Sequence, residues 1–132
     1  MKISELAEAS QVPAKTIRYY ESIGLLSTAV RQANGYRYYH SADIETLVFI
    51  RRCRELNISI DDIKQLVSVQ RDPEASCATV DSIISEQLAR VRQTQRELAK
   101  LAHTLEALVT SCRSEQIQDC CILQSLRATD GA

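Results

Sequence analysis

The 132-residue sequence lacks several features that would assign it to a membrane, secreted or catalytic class. It has no apolar run near the length needed to cross a membrane and no charged-then-apolar leader at its start. We therefore expect a soluble, unexported protein of the cytoplasm, with no membrane partner. No C-x-x-C pair occurs, which disfavours a thiol oxidoreductase, and we expect no enzymatic activity.

An excess of positive charge is also missing, because the formal net charge is −1. Binding to nucleic acid would therefore have to depend on a local patch. Between Lys15 and Arg54 there are seven basic and three acidic side chains, a local balance of +4. The count alone is equally typical of a solvated face, but such an asymmetry is also typical of a DNA-facing module on a neutral protein.

Glycine and proline are absent from residues 80–112, and this stretch predicts one long helix. Its apolar residues follow steps of four and three for more than four heptads, with Gln87 and Thr94 in two of the slots. The apolar members are Val80, Ile84, Val91, Leu98, Leu101, Leu105 and Leu108. A helix of this length spans roughly 50 Å. We expect its partner to be the same helix of a second copy; the alternative is a helix folded back on short neighbours of its own subunit.

Five cysteines in a reducing compartment indicate metal ligands, redox thiols or small buried residues. Cys77 lies just before the long helix, Cys112 lies in its last turn, and Cys120 and Cys121 follow. Cys77 and Cys112 are 35 residues apart, so they lie at opposite ends of the helix. One unbroken chain cannot bring these two thiols together.

Two short helices precede the long one and are joined by a tight turn, which predicts a helix-turn-helix. The first covers residues 3–9 with Ser4 as its N-cap, and the second covers residues 13–23 with Gly24 just past its end. The second helix turns Ile17 inward. On its other flank it exposes Lys15, Arg18 and Tyr19, and its first turn would reach base edges in a major groove.

Residues 29–39 predict a two-stranded hairpin, because Asn34-Gly35 is a strong turn signal. Basic and aromatic residues interleave on it, which suits contacts to phosphate and to the minor groove. They are Arg31, Tyr36, Arg37, Tyr38 and Tyr39. Two helices follow, over residues 41–56 with Ser41 as cap and from Ser59 to about residue 70, with Asp62 completing a capping box. A short apolar turn covers residues 122–126.

These motifs together resemble the MerR family of bacterial transcriptional regulators. The matching blocks are Ile3-Ser4-Glu5-Leu6-Ala7, Thr16-Ile17-Arg18-Tyr19-Tyr20-Glu21, Gly24-Leu25-Leu26, Asn34-Gly35-Tyr36-Arg37-Tyr38-Tyr39 and Phe49-Ile50-Arg51. The resemblance implies an all-α fold with a small β-hairpin wing, in which a winged helix-turn-helix DNA-binding domain is joined to a long antiparallel dimerisation helix. The domains would be residues 1–72 for DNA binding, 73–112 for the first ligand and the coiled coil, and 113–132 for the metal-binding loop, short terminal helix and tail.

The resemblance also implies a function, namely activation of a promoter for RNA polymerase by a homodimer that distorts its DNA when an effector binds. The implied DNA contacts are Lys15, Thr16, Arg18 and Tyr19 in the recognition helix and Arg31, Tyr36 and Arg37 in the wing. Pro13 departs from the Ser or Thr that often caps this helix, so a slightly different helix start is expected.

The thiols resemble those of the cadmium- and lead-responsive branch. That likeness implies that the metal ligands are Cys77, Cys112 and Cys120, which suit Cd(II) or Pb(II), with Zn(II) or Hg(II) as further candidates. Whether Cys121 takes part stays open. Cys53, His40 and His103 are expected to be ordinary core or surface residues. The alternative function is a thiol-based redox-sensing transcription factor, in which oxidation drives the response.

Overall fold

A computed structural model describes residues 1–27, 30–31, 37–111, 116–117 and 120–127. Within these ranges the chain is mostly helical, with six helices and one pair of short strands. The helices are α1 (Ile3–Ser10), α2 (Ala14–Ser22), α3 (Ser41–Glu55), α4 (Ile60–Gln70), α5 (Ala78–Ser111) and α6 (Cys121–Arg127), and the strands are β1 (Val30–Arg31) and β2 (Arg37–Tyr38). No helix in the described part of the chain is long and apolar enough to cross a membrane.

The two strands pair antiparallel, with Val30 opposite Tyr38 and Arg31 opposite Arg37. The predicted Asn34-Gly35 turn lies outside the described residues, as does Tyr36. The side chains of Arg31 and Arg37 lie outside the described part as well. The strand pair is therefore present, while the wing that these residues would form stays a prediction.

The start of α1 differs from the prediction. Ser4 lies inside the helix, and the N-cap is Lys2. The Lys2 N–H donates to the Glu5 carboxylate over 3.3 Å, so the acidic residue in the first turn does the capping. The prediction of Ser4 as N-cap was wrong, because the Glu5 carboxylate accepts from the N–H of Lys2 and no serine hydroxyl is needed at the cap.

The starts of α3 and α4 illustrate the same competition. Ser41 is the first residue of α3 and not its cap, because the His40 N–H donates to the Asp43 carboxylate over 2.9 Å. In α4 the predicted cap, Ser59, is confirmed. The Ser59 hydroxyl accepts from the Asp62 N–H over 3.2 Å, and the helix ends at Gln70.

Residues 1–87 form one compact unit, and its described residues build an apolar core. Its fully buried side chains come from α1 to α4 and the connections between them: Leu6, Ser10, Ile17, Tyr39, Leu47, Ile50, Ile58 and Ile63. The start of α5 belongs to this core too, because Ile83 is only 5% exposed and Val80 packs against it half-buried. The first position of the predicted seam, Val80, therefore packs within its own subunit, whereas the next, Ile84, is 44% exposed.

The second unit, residues 88–132, contains the remainder of α5 and the short helix α6. Its described α5 residues are exposed except for the half-buried Leu108. The exposed apolar side chains of this stretch are Leu88, Val91, Leu98, Leu101, Leu105 and Val109. Four of these six side chains occupy positions of the predicted seam, and this apolar surface has no partner among the described residues.

Candidate functional site

Helix α2 presents a polar outer face because its apolar residues point into the core. Ile17 is fully buried and Tyr20 is largely so, while Lys15, Arg18 and Tyr19 are exposed and Thr16 is half-buried. Pro13 is the N-cap of α2, and its carbonyl accepts from the Ile17 N–H over 3.0 Å. The helix therefore begins with an ordinary hydrogen-bonded turn although Pro13 replaces the Ser or Thr that is common at this position. The outer face of α2 thus offers two cations and a phenol to a ligand.

Tyr39 directly follows β2 and connects this strand to two other segments. It is 1% exposed, and its backbone exchanges hydrogen bonds with Met1: its N–H donates to the Met1 carbonyl and its carbonyl accepts from the Met1 ammonium, each over 2.8 Å. Its hydroxyl donates to the carboxylate of Glu21, near the end of α2. Tyr39 was predicted to be one of the hairpin residues that suit DNA contacts, but its side chain is buried. The alternation of a strand, which leaves Tyr38 outside and Tyr39 inside, could have shown it.

The basic stretch at the end of α3 is partly held by its own chain. Arg51 pairs with Glu55 at 3.0 Å, and Arg54 donates to the Ile58 carbonyl over 2.8 Å. Arg52 is exposed. The local positive charge is therefore more available on α2 than on α3.

Burial separates two ionisable groups of this unit from solvent. It raises the pKa of the Tyr20 hydroxyl, against the opposing effect of the Arg54 charge, and it raises the pKa of the Cys53 thiol. Cys53 is 6% exposed. A buried thiol with a raised pKa is a poor thiolate, which agrees with its predicted exclusion from the metal ligands.

The thiols beside α5 and α6 have a different setting. Cys77 is exposed and directly precedes α5, where its carbonyl accepts from the Asp81 N–H over 2.9 Å. Cys120 is half-buried and directly precedes α6, where its carbonyl accepts from the Gln124 N–H over 3.1 Å. Cys121 is exposed. Neither Cys77 nor Cys120 has the deep burial that a structural packing role would give it.

Cys112 lies outside the described residues. Among the described residues no three His, Cys, Asp or Glu side chains come together in a way that could hold a metal ion. The donor chemistry still fits a soft ion, because thiolates prefer soft and borderline cations. Outside the core, the described thiols are Cys77, directly before α5, and Cys120 and Cys121, beside the start of α6.

An apolar cavity of about 460 Å³, which the sequence did not indicate, lies in the unit of residues 1–87. Helices α3, α4 and α5 all contribute to its wall. The apolar lining residues are Phe49, Cys53, Leu56, Ile58, Leu66, Val69, Val80 and Ile84. Ile84 is both a wall residue and a member of the seam.

Comparison with known proteins shows which family has this architecture. Residues 1–70 match the model of the MerR HTH family regulatory proteins, and residues 44–108 match the model described as MerR, DNA binding. The chain is 41% identical to the HTH-type transcriptional regulator HmrR of Rhizobium leguminosarum bv. viciae over 132 residues, which cover both chains completely.

Two further relatives cover nearly the whole chain. A probable heavy metal-dependent transcriptional regulator of Haemophilus influenzae is 36% identical over 96% of this chain and 98% of its own. The crystal structure of the transcription regulator PbrR691 from Ralstonia metallidurans CH34 in complex with lead(II) superimposes with a TM-score of 0.87 at 36% identity, covering 96% of this chain and 98% of that one.

The matched models describe regulatory and DNA-binding proteins, which confirms the prediction that the chain is not an enzyme. The fold is mostly helical and contains the MerR-type helix-turn-helix. Its likeness to the PbrR691 structure extends over 96% of the chain. The chain therefore belongs to the MerR family of DNA-binding transcriptional regulators.

Proposed function

We propose that this protein is a heavy-metal-responsive activator that binds promoter DNA as a homodimer and makes the promoter usable by RNA polymerase when a soft ion is bound. Cd(II) or Pb(II) is the proposed inducer, with Zn(II) or Hg(II) as further candidates. The observation that supports this best is the likeness, over nearly the full length, to PbrR691, a regulator crystallised with lead(II). Accessible thiols directly before α5 and α6 agree with it.

The proposed DNA-binding domain is residues 1–72. Its contacts are made by the outer face of α2 and by the wing at the strand pair. In α2 the exposed cations Lys15 and Arg18 approach the DNA, with Tyr19 and Thr16 beside them. The proposed wing contacts are Arg31, Tyr36 and Arg37.

The proposed metal ligands come from both subunits. Helix α5 is one uninterrupted helix of 34 residues, so it is about 50 Å long. Cys77 precedes it and Cys112 follows it, so an antiparallel partner helix would bring Cys77 of one subunit to Cys112 and Cys120 of the partner subunit. A bound ion would supply thiolate bonds that join the two subunits. Residues 73–112 and 113–132 would then be the coiled-coil and metal-loop parts of one sensor.

The dimer is supported by the exposed seam of α5. Six apolar side chains of residues 88–111 are more than two-fifths exposed, and the four of them at seam positions form a strip that is typical of a coiled-coil interface. The cavity between α3, α4 and α5 includes Ile84, so it continues the seam. We propose that apolar side chains of the second copy cover both.

Mixed dimers test this assignment. One chain carries Cys77→Ser and the other carries Cys112→Ser, and neither homodimer has a complete site. If the ligands come from two subunits, both lesions fall in one site of the mixed dimer and the other site is intact. Cd(II) titration under full reductant should then recover half of the wild-type binding at wild-type affinity.

Two outcomes would contradict the proposal. If one chain supplied all ligands, every site in the mixed dimer would be damaged and no tight binding would return. If promoter output rose with peroxide but not with Cd(II) under reductant, the redox-sensing alternative would replace metal sensing. A titration with competing metals against the reduced dimer would identify the preferred ion.

A further inference from the structure

Gln87 joins α5 to the end of α3. Its side-chain amide nitrogen donates to the carbonyls of Leu56 and Asn57, over 3.0 and 3.1 Å. An amide NH₂ group has two hydrogens, so both bonds can form at the same time. Both acceptors belong to the corner between α3 and α4, and the partner residues are 31 and 30 positions away in sequence.

The corner that accepts these bonds is itself well defined. The Ile58 N–H donates to the Cys53 carbonyl over 3.1 Å and the Asn57 N–H donates to the Arg54 carbonyl over 2.9 Å, which is the Schellman pattern. Asn57 has φ of +59°, as that pattern requires. The Ile58 carbonyl accepts from Arg54. Three successive carbonyls, from Leu56 to Ile58, are therefore each held by a side chain.

The position of Gln87 in α5 is unusual for a glutamine. It fills a slot of the heptad seam where an apolar residue would stabilise a coiled coil better. It lies one turn after the buried Ile83 and is the last residue of the compact unit 1–87, while α5 itself continues to Ser111. A polar residue at this slot is explained by its two bonds to the corner.

We propose that Gln87 is a positioning residue that fastens α5 to the α3–α4 corner and so transmits movement of α5 to the DNA-binding helices. Helix α3 packs on α1, and α1 packs on α2, so the corner has a packed connection to the recognition helix. The regulatory part of this inference rests on the proposed function, whereas the fastening itself does not.

Two variants and a matched control test it in the full-length dimer. Gln87→Leu removes the donor and places an apolar residue in the seam. Gln87→Glu keeps the shape but replaces the donating NH₂ with a carboxylate oxygen. Thr94→Leu is the control, because Thr94 fills the other polar slot of the seam and, within the described part of the chain, its hydroxyl donates to its own helix, at the Arg90 carbonyl over 3.1 Å.

The first measurement needs no metal. Amide hydrogen exchange at Asn57 and Ile58 should be at least about fivefold faster in Gln87→Leu and Gln87→Glu than in wild type, and unchanged in Thr94→Leu. The second measurement is the rise in transcription on adding Cd(II). It should fall at least about fivefold in both Gln87 variants, with Cd(II) affinity and metal-free operator affinity within about threefold of wild type.

Each other result overturns the inference. Gln87 variants that match Thr94→Leu in both measurements would show that Gln87 only fills the seam. Faster amide exchange with a normal Cd(II) response would show that the Gln87 bonds stabilise the corner but do not affect regulation. A lost Cd(II) response with normal amide exchange would show that Gln87 acts on regulation by a route other than the α3–α4 corner. If wild type responded to none of Cd(II), Pb(II), Zn(II) and Hg(II), the proposed function and the regulatory part of this inference would both fail, and the exchange rates would still decide whether Gln87 fastens α5.

Discussion

The Tyr39 hydroxyl donates a hydrogen bond to the Glu21 carboxylate, which links the residue after β2 to the end of α2. The two residues are 18 positions apart, and Tyr39 is buried. Glu21 lies one residue before the end of α2, at the opposite end from Lys15. This bond therefore helps to fix the proposed wing and α2, the two proposed DNA-contacting elements, in one arrangement.

Tyr39→Phe should destabilise the protein by about 2 kcal/mol, because it removes a hydrogen bond to a carboxylate and leaves the ring in place. Operator affinity should fall with and without metal. Denaturant unfolding and gel shift measure the two effects. Tyr38→Phe is the matched control, since Tyr38 is 41% exposed and loses only a solvated hydroxyl. Equal stability of the two variants would show that the Tyr39 bond contributes nothing.

Arg18→Ala should weaken operator binding with and without metal, because the side chain lies on the exposed face of α2. If Arg18 contacts one phosphate, the slope of log affinity against log salt should become shallower by about one. Arg92→Ala, at an exposed position of α5, changes the net charge equally and should change neither quantity. An Arg18→Ala protein with wild-type affinity and slope would remove this residue from the interface.

Cys77→Ser should abolish the Cd(II) and Pb(II) responses and leave operator binding intact, because it removes one of three proposed thiolates. The thiolate-to-metal absorption bands should weaken in parallel. Cys53→Ala is the control: it removes a buried thiol and should leave the bands unchanged. A Cys77→Ser protein that answers Cd(II) at wild-type concentrations would exclude Cys77 as a ligand.

Leu101→Asp should weaken the dimer at least about tenfold, since it places a charge in the proposed coiled-coil interface. Leu101 is 58% exposed in the single chain. Ala99→Asp introduces the same residue two positions away, off the seam, and should leave the dimer intact. Sedimentation equilibrium separates the two cases, and equal dissociation constants would place the interface elsewhere.

Above pH 9 the metal-free, reduced protein should lose stability, and Cys53 should account for part of the loss. Burial raises the pKa of the folded Cys53 thiol above its ordinary 9.0, so the folded state binds this proton more tightly than the unfolded state. The stabilisation is complete below pH 9.0 and is lost as pH rises through the folded pKa.

Urea unfolding on both sides of that pH should show a smaller loss for Cys53→Ala than for wild type. The other four cysteines are common to both proteins and cancel in the comparison. Tyr20, whose pKa is also raised by burial, acts in the same direction above 10.0 and remains in both proteins. Identical losses in the two proteins would show that Cys53 does not titrate differently on folding.

Much of the fold could be predicted because the apolar spacing along the sequence matches the side chains that are buried in each helix. The apolar spacing of α1 to α4 and the uninterrupted heptads of α5 gave these helices within two residues at each end. The prediction failed where two capping groups compete, as at Ser4 and Ser41, since the sequence does not show which side chain reaches the N–H.

The site could be predicted only in part. The outward face of α2 follows from its periodicity, and the exposure of Cys77 agrees with a ligand role. The inward turn of Tyr39, its bond to Glu21 and the attachment of Gln87 to the α3–α4 corner depend on residues far apart in sequence. No local pattern indicates such contacts.

The burial of Ile83 in the core of residues 1–87 bears on how this protein can be divided for study. A truncation after residue 72 would discard Ile83 and the packed Val80, and would leave core surface of α3 and α4 in water. A truncation after Gln87 would retain the complete core and both bonds to the corner. An autonomous DNA-binding fragment should therefore be cut inside the long helix and not at the loop before it.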